Sequence, residues 1–481
     1  MTKDTRSDNL ALLDAIAQAQ LVRQKQVKPI ELVDAAIQRI ERLNPPLNAV
    51  VTTTYEQARK AARGRLPDSP FRGVPFLLKD LVATCANVRM TMGSAFLRNF
   101  VPDRDSVLVA RLRRSGFLFL GKTNTPEFGI LPTTESRFLG PCRNPWDTSR
   151  TPGGSSGGSA TAVASGMVPA AHANDGGGSL RIPASCCGVF GLKPTRARNP
   201  LGPDFGDIFG GFVAEHAITR SVRDSAAILD VTCGPDVGDP YWCPPPSHPF
   251  LQEVGADPGR LRIFFTCQKP DGAPLYPDCI AAVVDAANLC TDLGHEVSEA
   301  TMPIEGSETV RESFITLWAA ASALMMEGLA MVTGQALTEK LFEPATWAIY
   351  EMGRQQSAAS YLTCLQSLQR VARQVSKLSV NCDLWLTPTL GEPPVPLGTF
   401  DSTPDNPLQG INRVATFMPF TSIYNFTGQP AMSVPLYWNS EGLPIGVQFA
   451  ARFGDEATLF RLAAQLETAR PWAGRRPPMS A

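Results

Sequence analysis

Between residues 10 and 43 apolar side chains recur at helical spacing and predict two helices. The second carries Pro29 in its first turn and sets Ile30, Val33, Ile37 and Ile40 on one face. From about residue 71 the pattern shortens to apolar runs between Gly and Pro, such as VPFLLKDLVA and GFLFLGKTNTP, which predict strands alternating with turns. RLRIFFTC (260–267) reads as a strand, PDCIAAVVDAANLCTDLG (277–294) as an amphipathic helix closed by Gly294, and HEVSEA as a further strand, a βαβ-like step. Residues 309–380 are expected to be largely helical, and Trp385 to Pro396 to be a strand end running into a Pro-rich loop. SVPLYW and IGVQFAARF then read as strands, followed by a helix from about 455. Together these elements predict an α/β fold, a mixed sheet flanked by helices.

The stretch from 151 to 191 departs from that pattern. TPGGSSGGSATAVASG and HANDGGGSLRIPASCCGVFG are rich in Gly and Ser, a composition that usually marks a flexible linker. Here, however, the two Gly clusters bracket ATAVASGMVPAAHA, an apolar run suited to a core, and RIPASCCGVFGL is apolar again. Glycine is therefore expected to let the backbone approach something closely.

Composition narrows the function. The chain has 481 residues, 43% hydrophobic and 19% charged, enough to bury an extended core. With 44 Lys and Arg against 45 Asp and Glu, the formal charge of -1 provides no global field for nucleic acid or an anionic membrane. The opening MTKDTRSDNL has alternating charges where a signal peptide needs an apolar run, so a cytoplasmic location is expected. The apolar run from Leu317 to Met326 stops at Glu327, short of the ~20 residues that span a bilayer, and no transmembrane helix is expected. Eleven cysteines without a CxxC pair fit reduced, mostly buried thiols. The four histidines (His172, His216, His248, His295) lack metal-ligand spacing, so neither a metal nor a cofactor is expected.

The second Gly cluster offers a nucleophile and its electrostatic partners together. Gly176, Gly177 and Gly178 have no β-carbon, so their N–H groups, with that of Ser179, can converge on an oxyanion beside the Ser179 hydroxyl. A serine needs a base. GxSxG occurs twice, around Ser155 and Ser156, but an α/β-hydrolase triad requires a late histidine and none follows His295. No lysine stands three residues after a serine either, which removes the penicillin-recognising arrangement.

VPFLLKD with Lys79, GKTNTPEFG at 121–129, RNPWD at 143–147, TPGGSSGGSA with Ser155, NDGGGSLRIPAS with Ser179 and GLKPT at 191–195 together resemble the amidase signature family. The likeness covers nearly the whole chain and is densest from about Phe71 to Thr195. It implies the amidase-signature fold as a single domain over 1–481, with a signature core at about 71–200, the N-terminal arm at 10–43 and a helical specificity region at about 309–380. It also implies a triad in which neutral Lys79 is the ultimate base, Ser155, held by a cis peptide bond, is the bridge, and Ser179 forms the acyl-enzyme. Asp175 and Arg181 match the family's paired charges around the nucleophile loop, with Ser156 as a supporting neighbour. Asn174 stands where the family commonly has Thr, and the wording around it is similar to the branch with bacterial nylon-oligomer (6-aminohexanoate cyclic dimer) hydrolases.

A free lysine titrates near ~10.4, and burial lowers this by up to about 3 to 5 pH units. Phe76, Leu77, Leu78, Leu81 and Val82 provide an apolar setting, and in an extended run Lys79 and Asp80 point to opposite faces. The expected activity is hydrolysis of non-peptide C–N bonds in small amides, extending to carbamates (urethanes), esters, anilides or nylon oligomers. Its partners are a small amide-type substrate and water, with no nucleic acid or membrane, and a homodimer is compatible with the sequence. Trp318 and Asn174 are candidate substrate contacts, and Phe314, Met325, Met326, Trp347, Tyr350 and residues 417–424 candidate walls of an apolar pocket. The competing readings are the amidase-like subunit of a tRNA-dependent amidotransferase and a non-catalytic binding protein on the same scaffold.

Overall fold

In the computed structural model, which describes residues 5–302, 304 and 307–481, eleven strands form one mixed sheet. Their spatial order is Val50–Thr53, Leu118–Thr123, Pro75–Lys79, Ala170–Asp175, Ala214–Thr219, Phe190–Lys193, Ala431–Trp438, Pro444–Ala451, Leu384–Pro388, Arg262–Phe265 and Glu296–Glu299. Pro75–Lys79 runs parallel to both of its neighbours, whereas Ala170–Asp175 is antiparallel to Ala214–Thr219. The expected βαβ step is present: Arg262–Phe265 and Glu296–Glu299 pair in parallel across the helix Pro277–Asp292.

Strand alternation explains why helices cover both faces. Leu77, Leu118 and Leu120 pack with the helices Pro29–Leu47 and Gly157–Ala164. Phe76, Leu78, Phe117 and Phe119 pack on the other side with the helices Ala15–Arg23, Val107–Arg114 and Val222–Thr232. The run FLLK is therefore apolar at every position before its lysine, as a strand covered on both faces must be.

The N-terminal arm differs from expectation. It holds three helices, Thr5–Leu12, Ala15–Arg23 and Pro29–Leu47, because Asp14 interrupts the first run and caps a new helix through Ala17 N at 2.9 Å. The last helix continues through Pro45 and Pro46 to a left-handed Asn48 at φ 50°. Residues 1–4 of the charged N-terminal segment lie outside the described residues.

Residues 151–191 are buried throughout apart from the half-buried Gly188, which excludes a linker. Among the described residues one helix, Glu308–Thr333, is long and apolar enough to cross a membrane. The apolar run from Leu317 to Met326 is thus part of a longer helix, because one acid at Glu327 does not stop a helix whose flanks continue it. Ala319, Ala323 and Met326 on this helix pack against Ile349 and Tyr350.

Candidate active site

Lys79 ends the strand Pro75–Lys79 and is wholly buried. Its Nζ lies 2.6 Å from Ser155 Oγ and 2.6 Å from Asn174 Oδ1. Burial lowers its pKa to about 7, against the pull of the Glu215 and Asp175 carboxylates, which favour the ammonium. Asp80 turns elsewhere, accepting from Thr91 N at 3.0 Å. The two adjacent charges therefore go separate ways, as an extended chain requires.

Ser155 lies just before the helix Gly157–Ala164, and the Gly154–Ser155 peptide bond is cis. Gly154 is required by space: a β-carbon there would lie 2.1 Å from the Thr133 carbonyl oxygen. Ser156 joins the two serine loops, donating from N to Ser179 O at 3.0 Å and from Oγ to Asn174 O at 3.2 Å.

Ser179 follows the strand Ala170–Asp175 through the three glycines. The loop is fixed by its carbonyls: Gly177 O accepts from Thr421 Oγ1 at 2.7 Å and Gly178 O from Ile182 N at 2.8 Å. Gly178 has φ +136°, and a β-carbon on it would meet Thr421 Oγ1 at 2.4 Å. Exposure falls from 9% at Ser179 to 1% at Ser155 and 0% at Lys79. Of the three, only Ser179 lines the cleft described below.

Asp175 and Arg181 form a wholly buried ion pair with Nε–Oδ2 at 2.9 Å and Nη2–Oδ1 at 2.9 Å. The pair is closed by residues far along the chain. Arg181 also donates to Gln448 Oε1 at 2.6 Å and Asn425 Oδ1 at 2.7 Å, and Asn425 Nδ2 donates to Asp175 Oδ1 at 2.9 Å. Burial pushes the Asp175 carboxyl up, but Arg181 and Asn425 overcome it and hold the pKa at about 2. Arg181→Ala, which leaves Asp175 buried without its cation, is expected to destabilise the fold by about 3–5 kcal/mol, read from the midpoint of urea unfolding.

Ser179 opens into a cleft of about 1330 Å³ that includes its open mouth. The walls are mainly apolar and include Ile130, Leu131, Ile182, Phe314, Trp318, Met418 and Phe426, with Arg311, Asp271 and Asn412 among the few polar groups. Phe314 and Trp318 stack with centroids 5.6 Å apart. The sequence thus anticipated Phe314, Trp318 and part of 417–424, and the rest needs correction. Met325, Met326, Trp347 and Tyr350 belong to a hydrophobic cluster that reaches the cleft through Trp318 and Ile349 but do not line it themselves, and Phe417 and Tyr424 are buried in two others. Met325 and Met326 of the long helix pack with Trp347 and Tyr350 of the helix Pro344–Arg354, Phe417 packs against Phe400, and Tyr424 packs with Trp385 and Ala450 of the sheet. Asn174 contacts Lys79 instead of the cleft wall. Ile304, Val310, Ile411 and Val414 line the cleft, and isolated aliphatic residues gave no signal for it.

The amidase family profile matches residues 31–460. The 6-aminohexanoate-cyclic-dimer hydrolase of Pseudomonas sp. (strain NK87) is 38% identical over 475 residues, covering 96% of each chain. A solved structure of 6-aminohexanoate cyclic dimer hydrolase complexed with substrate superposes with TM-score 0.93 at 37% identity, covering 98% of this chain and 100% of the other. A bacterial aryl acylamidase of the amidase signature family superposes with TM-score 0.87 at 28% identity, covering 97% and 98%. The profile, the near full-length identity and the superposed fold agree with the motifs around Lys79, Ser155 and Ser179, and the chain belongs to the amidase family of carbon–nitrogen hydrolases.

Proposed function

We propose that this amidase hydrolyses small amides through an acyl-enzyme on Ser179, with Ser155 as proton bridge and Lys79 as base. The observation that carries this reading is the 2.6 Å contact from a buried Lys79 amine to Ser155, one loop away from Ser179, the one residue of these three that lines the cleft. Ser179 Oγ attacks the carbonyl carbon while its proton passes through Ser155 to Lys79 Nζ. The C–N bond then breaks, the leaving nitrogen takes that proton back through Ser155, and water releases the acyl group by the same relay.

Among the described residues no acceptor takes the N–H groups of Gly176, Gly177, Gly178 or Ser179, while the carbonyls of Gly177, Gly178 and Ser179 are all engaged. This supports an oxyanion hole in which donors are fixed before the charge develops. Asp175 and Arg181 hold the loop, and Ser156 fixes Ser179 against Ser155. Trp318 is a wall of the substrate cleft, and Asn174 orients the base.

The cleft's apolar walls favour uncharged amides with an aryl or alkyl body. Likeness to a cyclic-dimer hydrolase and an aryl acylamidase supports trying lactam oligomers and anilides, and carbamates share the same carbonyl chemistry. The test is amine release from anilides, aliphatic amides, lactam oligomers and urethanes across pH. Lys79 must be neutral to accept a proton, so kcat/KM is expected to be low at acid pH and to rise through about 7. Release that is flat from pH 5 to pH 9, or confined to glutamine, would overturn the proposal.

A further inference from the structure

Two groups that the relay does not use stand directly behind Lys79. The strand Pro75–Lys79 pairs with Ala170–Asp175 at Leu77 and Ala171, and beyond that pair the hydrogen bonding changes. Lys79 N donates to the ring Nδ1 of His172 at 3.3 Å, while the His172 carbonyl accepts from Ser159 Oγ at 2.7 Å. A side-chain acceptor thus takes the backbone N–H of the residue that must aim its amine at Ser155. Because Nδ1 accepts, the ring proton belongs on Nε2, which lies 2.5 Å from Glu215 Oε2. The sheet explains the grouping: Asn174 and Glu215 are cross-strand partners, and His172 is two residues from Asn174 on the same face.

Both side chains are buried, His172 wholly and Glu215 nearly so. Glu215 Oε1 has no hydrogen-bond partner among the described residues. A buried carboxylate left half unsatisfied is expensive, and such groups persist where a function uses them. The other charges near Lys79 are already matched. Asp175 is engaged by Arg181 and Asn425, and Lys122, on the neighbouring strand, donates to Ala83 O at 2.5 Å, with Asp80 acting on its charge more strongly than Glu215 does. His216 points to the other face, where it meets Ser225 Oγ at 2.8 Å. Of the two carboxylates that act on Lys79, Glu215 is the one that makes no ion pair with Lys or Arg among the described residues.

We propose that His172 and Glu215 form a buried positioning pair for the base: the ring fixes the backbone from which Lys79 projects, and the carboxylate steadies the ammonium formed when Ser179 attacks. The pair touches neither substrate nor the reacting atoms. This proposal rests on the reading of Lys79 as the base, and the experiment separates the two.

The rate at which a sulfonyl fluoride modifies Ser179 is measured against pH for the wild type, Lys79→Met, Glu215→Gln and Glu215→Asp. In Glu215→Gln the charge that favours the ammonium is gone, so the acid limb is expected to move down by about one pH unit and the plateau rate to fall about tenfold. Glu215→Asp keeps the charge one methylene farther back, so its limb is expected to move in the same direction by less than half as far. Should Glu215→Gln fail to fold, Glu215→Asp carries the test. Loss of packing alone would lower the active fraction without moving the limb. A limb unmoved in every folded Glu215 variant, with Lys79→Met nearly inert, would overturn the positioning pair and leave the base in place. Wild-type-like modification of Lys79→Met would instead remove the base, and the pair with it.

Discussion

Ser179→Ala is expected to lower kcat/KM by at least about 10⁴-fold while leaving the thermal midpoint near that of the wild type. The side chain removed is one hydroxyl at the edge of the cleft. What remains is an oxyanion site without a nucleophile, and such a site retains a modest advantage over water. The complementary readout is covalent: a sulfonyl fluoride should add to the peptide holding Ser179 in the wild type and to none in the variant. An adduct on Ser155 instead would reassign the nucleophile. The exposure gradient argues against that outcome, because a reagent entering the cleft meets Ser179 first and Ser155 is almost fully covered.

The second large effect is expected at Lys79. Lys79→Met keeps the chain length in a fully buried site and removes the amine, so kcat/KM should fall by about 10²–10⁴-fold, the usual contribution of a positioned base. The acid limb near pH 7 should vanish with it, since the group whose proton loss shapes that limb is gone. Folding should survive, because an apolar side chain in this setting has no amine to desolvate. Serines 155 and 179 remain in this variant, so the loss reports the base specifically. A near-normal rate would exclude Lys79 from the relay, and a retained limb would assign it to another group.

Much of the fold was legible because strand periodicity and covered faces leave a strong pattern. FLLK, FLFLG and the Gly-closed helix after Pro277 each read correctly from local order. The pattern of the arm predicts two helices because a lone Asp14 in an amphipathic run is a weak break, and it is the cap it forms that makes it decisive. The cleft was partly legible. Phe314 and Trp318 lie near the start of the long helix, where that helix faces the nucleophile loop, whereas Met326 lies two turns farther along and meets the helix Pro344–Arg354. Periodicity assigns a face to a helix, but not what the neighbouring element places against it.

The sequence alone determined the local features on which the proposed chemistry draws: glycines that admit close backbone approach, a serine after them, and a lysine in an apolar run with no late histidine to compete. Those are local facts of side-chain size, order and polarity. Tertiary structure decided which groups meet. Lys79 lies 76 residues from Ser155 in the chain and 2.6 Å from it in space. Asn425 and Gln448 close around Arg181 across more than 240 residues. His172 and Glu215 gave no motif because their partners are set by strand order, in which Ala170–Asp175 lies between Pro75–Lys79 and Ala214–Thr219. Sheet register brought these groups together, and burial then lowered the proton affinity of Lys79.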